Sequence, residues 1–295
     1  MYLNPRIVGC VERTLVLSHG YGGSQAIWDK VLPHLSKSNK VLLFDWDFAG
    51  ATAGEAGEEE RYTFSRFADE LVALMDEVKL KGALFVGHSM AGMVGCIASI
   101  RRPGLFTHLV LVGASPRYMN SEDYEGGFDK SAIDEMLSSI SSDFHSWANG
   151  FVALAIGIAD QSVVELLARS FFAMDPRMAH GLARMLFLGD QREVLDRVVV
   201  LCTLVHVSGD FEAPPSIGRY MQGRLKRCTS AVLETIDSVG HFPQLVALEE
   251  MLRILNVMLG EGRLLASDVV EERSGNEGSL AEAEVNGDVD VVAMS

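Results

Sequence analysis

Three short segments carry residues that could together form a nucleophilic active site. Ser89 stands in the run Gly87-His88-Ser89-Met90-Ala91-Gly92, while Asp210 and His241 follow much later in the chain. A serine hydroxyl is a poor nucleophile until an imidazole removes its proton and a carboxylate holds that imidazole in the right tautomer. The residue types therefore predict Ser89 as nucleophile, His241 as general base and then general acid, and Asp210 as the carboxylate that orients His241.

The surroundings of Ser89 predict a sharp turn from a strand into a helix. An apolar run at 83–86 precedes it, and small residues flank it on both sides. Small neighbours are needed because the serine of such a turn has a strained backbone and the following helix packs close to the strand. The pattern is irregular, since Ala91 stands where a second glycine is usual and Gly92 comes one place later.

Backbone N–H groups should stabilise the anion that forms when the serine attacks a carbonyl. We expect one from Met90, directly after the nucleophile, and one from Tyr21 in the loop His19-Gly20-Tyr21-Gly22-Gly23. That loop lacks the Lys and Ser/Thr of a phosphate-binding loop. Two alternatives stay open: Asp210 could be a turn residue near Pro214-Pro215, and His241 an ordinary loop histidine.

Alternating strands and helices must position these residues. The predicted strands lie at 14–18, 40–45, 83–86, 108–112, 198–207 and 231–236. The predicted helices lie at 28–35, 64–78, 91–100, 131–141, 144–156, 162–174, 176–188, 216–225 and 243–259. The apolar strands show little alternation, which is typical of parallel strands covered on both faces. The pattern, with Ser, Asp and His in that chain order, predicts an α/β-hydrolase fold with a mostly parallel, doubly wound sheet.

The strand pattern stops between residues 117 and 188, where four helical stretches follow one another. We expect this insert to cap the carboxyl edge of the sheet, where open α/β sheets bind ligands. The predicted domains are a core of 1–116 and 189–262, a cap of 117–188, and an acidic tail of 263–295 that we expect to be disordered.

Composition excludes several classes of function. The net charge of −15 argues against nucleic-acid binding, and eight acidic residues with one arginine after residue 265 account for about half of it. No apolar run is long enough to cross a bilayer and no secretion signal is recognisable. The four cysteines show no metal or disulfide spacing. We expect a cytoplasmic and nuclear monomer with no cofactor or metal.

Several motifs together resemble the plant strigolactone and karrikin receptor family of α/β-hydrolases, which includes DWARF-type, karrikin-insensitive-type and DWARF-like members, with bacterial RsbQ more distant. They are the glycine loop at 19–22, Gly87-His88-Ser89, residues 97–106, "ASPRYMN", "DYEGGF", "NGFVALAIG", "RSFFAMDP" and "GHFPQL". The resemblance implies a four-helix cap, an apolar pocket above the triad, and slow hydrolysis of a butenolide ligand. It also implies docking of an F-box protein of a ubiquitin ligase.

By the same resemblance, five aromatic residues line the ligand pocket: Phe128, Trp147, Phe151, Phe172 and Phe187. The sequence departs from the family at Tyr21, Phe48, the acidic loop 55–60, Ala153 and 209–212. The departures are typical of a divergent, DWARF-like member. Two alternatives to a hydrolysing receptor remain: a receptor whose triad only anchors the ligand, and a plain carboxylesterase for small esters.

Overall fold

The computed structural model describes residues 3–11, 13–49 and 61–260 of the 295-residue chain. The acidic loop 55–60 and the predicted acidic tail 263–295 lie outside the described residues.

A single sheet organises the described residues. Its strands are β1 (Arg6–Val8), β2 (Thr14–Ser18), β3 (Lys40–Leu43), β4 (Ala83–His88), β5 (Phe106–Val112), β6 (Leu201–Gly209) and β7 (Ala231–Val239). They lie in the order β1-β3-β2-β4-β5-β6-β7, and every neighbouring pair is parallel except β1 with β3. The mostly parallel sheet of the sequence prediction is confirmed. The short edge strand β1 was not predicted, because its three residues are largely exposed and carry no apolar pattern.

Helices connect these strands. They are α1 (Leu32–Leu35), α2 (Phe64–Glu77), α3 (Met90–Arg101), α4 (Lys130–Ser142), α5 (Phe144–Ile156), α6 (Gln161–Phe172), α7 (Pro176–Leu188), α8 (Arg192–Leu195), α9 (Pro215–Arg224), α10 (Pro243–Val246) and α11 (Leu248–Met258). Two 3-10 turns, Gln25–Trp28 and Pro103–Leu105, complete the set. No helix among the described residues is both long and apolar enough to span a membrane.

Burial explains why these segments form these elements. All six residues of β4 are buried, as expected for a central strand with both faces covered. In α2, Phe64, Phe67, Leu71 and Leu74 are buried at spacings of three and four residues, so one face of that helix packs inward.

Aspartate side chains cap three of the four helices α4–α7, which lie between β5 and β6. The side chains of Asp143, Asp160 and Asp175 accept hydrogen bonds from backbone N–H groups in the first turns of α5, α6 and α7. These N-caps satisfy donors that have no partner inside the helix. The four helices α4–α7 lie where the sequence predicted four helical stretches.

Two predicted helices are divided. The predicted helix at 28–35 consists of a 3-10 turn and the short α1, because Pro33 is tolerated only in the first turn of a helix. The predicted helix at 243–259 is divided at Ala247, whose φ of −133° and ψ of 52° are not helical. The chain forms two compact units, and the first, Met1–Met251, contains the sheet and helices α4–α7.

Candidate active site

Ser89 lies at the bend between β4 and α3. Its φ of 55° and ψ of −122° are strained for a residue with a Cβ, and its N–H donates to the Val112 carbonyl at 2.7 Å. This bond ties the bend to the end of β5. The Ser89 side chain is thereby held at the carboxyl edge of the sheet, where open α/β sheets bind ligands.

Asp210 and His241 lie at the same edge of the sheet. Asp210 directly follows β6, and His241 follows β7 after one residue. The Asp210 Oδ2 and His241 Nδ1 atoms are 2.7 Å apart, and the two residues are only 4 % and 2 % exposed. The other carboxylate oxygen, Oδ1, accepts the backbone N–H groups of Glu212 and Ala213 at 2.9 and 3.2 Å. Asp210 thus holds the His241 ring as the sequence order predicted.

The charges of this pair are shifted by its surroundings. Burial alone would raise the pKa of Asp210, but His241 and the two backbone donors outweigh it and lower that pKa. Burial alone would lower the pKa of His241, but the carboxylates of Asp210 and Glu212 raise it to about 9. These shifts favour an ionised Asp210 and a protonated His241 ring.

Two backbone contacts hold the His241 loop. The His241 N–H donates to the Ala155 carbonyl in α5 at 2.7 Å. His88 Nε2 lies 2.8 Å from the His241 carbonyl oxygen, and the two imidazole rings are 4.9 Å apart. Burial, then repulsion from His241, lowers the pKa of His88 to about 3, so His88 is neutral and its Nε2–H donates. His88 therefore links the Ser89 turn to the loop of the candidate base.

The two predicted anion donors lie beside Ser89. Met90 is the first residue of α3, and amides in the first turn have no partner within the helix. Tyr21 lies in a turn closed by the Gly23 N–H on the Gly20 carbonyl, and a Cβ at Gly20 would come 2.8 Å from the Ser89 Cβ. The glycine loop thus approaches the serine as closely as the backbone allows. The assignment of both N–H groups to an oxyanion hole stays a prediction.

Two further side chains reach the site and were not predicted from the sequence. The hydroxyl oxygens of Ser89 and Tyr118 are 3.3 Å apart, and Tyr118 is almost fully buried. The Glu212 Oε2 lies 3.9 Å from His241 Nε2. Both residues stand in motifs that the sequence singled out, "ASPRYMN" and the altered loop 209–212, but neither motif by itself assigns a side chain to the site.

An aromatic cluster extends above the site, with ring centroids 4.8 to 6.5 Å apart. It comprises Tyr21, Tyr118, Phe128, Trp147, Phe151, Phe171, Phe187 and Phe211. Four of the five predicted pocket residues are members.

Phe172 is not a member of this cluster, contrary to the prediction. It is 37 % exposed and stacks on His145, at a centroid distance of 5.4 Å. Its neighbour Phe171 is buried instead and meets Tyr21 edge-on at 5.4 Å. Adjacent residues on a helix point about 100° apart, so only one of the two can face inward.

The described residues do not meet the requirements of a metal site. No group of three or more His, Cys, Asp or Glu side chains with metal-binding geometry occurs in the described ranges 3–11, 13–49 and 61–260. The chemistry available at the described site is that of a hydroxyl, an imidazole, carboxylates and backbone amides.

Comparisons with known proteins agree with the fold. The model of the alpha/beta hydrolase family matches residues 15–254. A strigolactone esterase of Arabidopsis thaliana is 35 % identical over 86 % of this chain and 94 % of its own length. A karrikin insensitive 2 receptor of Petunia hybrida is 36 % identical over 85 % and 93 %, respectively.

Solved structures give the same result. A hydrolase from Oleispira antarctica superposes with a TM-score of 0.81 at 25 % identity, covering 88 % of this chain and 95 % of that one. An enol-lactonase from Burkholderia xenovorans has a TM-score of 0.74 at 19 % identity, with 88 % and 96 % covered, and shares the fold. The resemblance noted from sequence motifs is thereby confirmed, and the chain belongs to the alpha/beta hydrolase family, within its strigolactone-esterase and karrikin-receptor group.

Proposed function

We propose that this protein is a serine hydrolase that binds a small butenolide-type ligand, cleaves it slowly and acts as its receptor. The observation that carries the proposal is the His241–Asp210 contact of 2.7 Å at the sheet edge that holds Ser89, beneath a cluster of aromatic rings. The esterase and receptor relatives support the same assignment.

The proposed reaction is an acyl transfer through Ser89. In the neutral-ring form of His241, the Ser89 Oγ attacks the carbonyl carbon of the ester or lactone while His241 Nε2 takes the hydroxyl proton. Asp210 stabilises the resulting imidazolium, and the Met90 and Tyr21 N–H groups hold the oxyanion. His241 then gives the proton to the departing oxygen, and a water molecule releases the acyl group from Ser89 by the same steps.

The aromatic cluster supports an apolar, ring-shaped ligand. Trp147 and Phe151 stack on one face of α5, and Phe187 lies on α7. Trp147 contacts Tyr21, and Phe187 contacts Tyr118, whose hydroxyl reaches Ser89. Such a lining favours a small apolar molecule with few polar groups, because aromatic side chains contribute area without hydrogen bonds to satisfy. We propose that the segment 117–188 acts as the cap of this pocket and that 1–116 with 189–262 forms the core.

One observation favours the alternative in which the triad anchors a ligand without turnover. The Ser89 hydroxyl lies in hydrogen-bond reach of Tyr118, while His241 Nε2 has no hydrogen-bond partner among the described residues. The serine is therefore not bonded to its base in this conformation. Docking of an F-box protein, a monomeric state and a cytoplasmic and nuclear location stay predictions.

Ser89→Ala and His241→Ala test the proposed hydrolysis. Each should remove nearly all turnover of p-nitrophenyl acetate and of synthetic strigolactone stereoisomers, since triad members act as a unit. Ser99→Ala is the matched control, because Ser99 is a buried serine of the same helix that bonds the Cys96 carbonyl instead. Equal turnover by wild type and both triad variants would contradict the proposal.

A thermal-shift screen with the same compounds separates the anchoring receptor from the esterase. Ligand-induced stabilisation that survives in Ser89→Ala supports a receptor that anchors its ligand. Turnover without any ligand-induced stabilisation supports a plain small-ester carboxylesterase.

A further inference from the structure

A second buried carboxyl lies near the proposed catalytic histidine, beside the Nε2 atom rather than the Nδ1 atom that contacts Asp210. Glu212 is 3 % exposed, and its Oε2 lies 3.9 Å from His241 Nε2. Its other oxygen, Oε1, has no hydrogen-bond partner among the described residues. The His241 ring thus contacts Asp210 through Nδ1 at 2.7 Å, while Glu212 lies within ion-pair distance of Nε2 but beyond hydrogen-bond distance.

The other groups near Glu212 are neutral or negatively charged, so His241 is its ion-pair partner. The phenols of Tyr21 and Tyr118 come from the glycine loop and from the segment after β5, and burial, with Glu212 nearby, raises the pKa of both. They are therefore neutral. Asp210 is a like charge on the same loop, and His88, from the end of β4, is neutral. In the described part of the chain, His241 is the one cation within ion-pair distance of this carboxyl.

The Nε2 position matters because it is where the base must accept a proton. A general base needs the Nε2 lone pair, whereas a carboxylate facing that atom favours Nε2–H. An isolated buried carboxylate is costly, so Glu212 itself favours a protonated ring beside it. Each partner therefore stabilises the charged form of the other, and both favour the state in which His241 cannot act as a base.

We propose that Glu212 is a positioning residue that holds the proton on His241 Nε2 and thereby restrains the hydrolytic base. This inference rests on the proposed function, and deepens it, since a restrained base keeps a bound butenolide uncleaved for longer. Cleavage then requires that His241 Nε2 lose this proton, either as the pH rises or as a bound ligand weakens the pairing with Glu212.

The charge states give the sign of the pH dependence. Burial raises the pKa of Glu212 to about 7, and the two carboxylates raise the pKa of His241 to about 9. Between these values both groups are charged and paired. The neutral ring that catalysis needs forms as the pH rises through about 9, so turnover should rise there.

Glu212→Gln tests the inference with an uncharged side chain of the same shape. The variant's His241 loses one of the two carboxylates that raise its pKa, so the rising limb of kcat/KM for p-nitrophenyl acetate should move to lower pH. A shift of about one pH unit corresponds to about tenfold more turnover at pH 7, since the neutral fraction of the base grows in proportion. Glu122→Gln, which removes an exposed carboxylate, is the matched control and should keep the wild-type profile.

A second readout does not depend on turnover. The imidazole resonance of His241, followed by NMR in the full chain against pH, should titrate at lower pH in Glu212→Gln than in wild type. If Glu212→Gln fails to fold by thermal melting, Glu212→Ser replaces it, with the same expected direction.

The outcomes separate this inference from the proposed function. A lowered His241 titration with no hydrolysis of any ester supports the role of Glu212 and counts against the proposed hydrolysis. If neither the His241 titration nor the rising limb of kcat/KM moves in Glu212→Gln, the proposed role of Glu212 is overturned, whatever the activity. A fall in turnover at pH 7 without a shift of the limb also overturns it, because removing a restraint on the base should raise turnover.

Discussion

At the residue scale, space around the backbone determines where glycine is needed beside Ser89. A Cβ at Gly92 would come 2.5 Å from the Ala114 Cβ, which is closer than real side chains approach. Ala91, by contrast, is accommodated with its own Cβ and is buried in the first turn of α3. Gly92, which comes one position later than the usual second glycine of the motif, is thus explained by the close packing of α3 on the end of β5.

Exchanging the two small residues tests this explanation. Gly92→Ala should destabilise the protein by about 1–3 kcal/mol through overpacking and reduce ester turnover by shifting Ser89. Ala91→Gly should cost only about 1 kcal/mol of helix propensity and stay active. Thermal melting and p-nitrophenyl acetate turnover measure both effects. Gly92→Ala melting at the wild-type temperature with full turnover would contradict the explanation.

The sequence predicted which residues could take part in chemistry better than it predicted which way their side chains point. Ser89, Asp210 and His241 could be proposed as a triad because their types and chain order limit the options, and the structure brings Asp210 and His241 together. Phe171 and Phe172 are both aromatic and adjacent, so periodicity alone could not tell which one faces inward. Glu212 was not predicted because an acidic residue two positions after Asp210 is typical of an exposed turn. Only the structure shows that its side chain is buried.

At the element scale, the end of α5 supports the His241 loop. The Ala155 carbonyl accepts the His241 N–H at 2.7 Å. A Cβ at Gly240 would come 2.2 Å from the Ile156 carbonyl oxygen, and the Gly240 φ of 82° is one that other residues rarely adopt. The four-helix segment is therefore in direct contact with the residue that precedes the base.

Gly240→Ala tests this contact. The added methyl group would clash with the Ile156 carbonyl and strain the backbone, so we expect a loss of about 2 kcal/mol or more in the free energy of unfolding. Turnover should fall as well, because His241 is displaced. Gly150→Ala is the matched control in α5 itself, since nothing lies within 4 Å of its added Cβ. Equal melting temperatures for the two variants would contradict the role of the contact.

Elements were predictable where the apolar pattern is strong. Strand β2 and helices α5 and α7 begin and end where the sequence predicted, because buried runs and aspartate or proline starts define them locally. The break at Ala247 and the edge strand β1 were missed, since both depend on partners distant in the chain. The local sequence pattern likewise could not predict the contact of α5 with His241, which are distant in the chain.

At the scale of the whole molecule, the three residues of the candidate triad are buried. Ser89, Asp210 and His241 are each at most 4 % exposed. We therefore predict that a ligand reaches Ser89 through movement of a covering segment. The hydroxyls of Ser24, after the glycine loop, and Ser170, on α6, are 3.0 Å apart and join the four-helix segment to the core at one point.

A reversible cross-link between these serines tests whether the segment must move. In the double variant Ser24→Cys/Ser170→Cys the two sulfurs would lie close enough to form a disulfide. Oxidation should then lower ester turnover by at least about tenfold, and reduction should restore it, because α6 can no longer separate from the glycine loop. Each single variant under the same oxidant is a control. Oxidised wild type is another, since Cys202 and Cys228 have sulfurs 3.6 Å apart and could respond on their own. Full turnover by the cross-linked protein, with the disulfide verified by mass spectrometry, would show that the ligand enters without movement of α6.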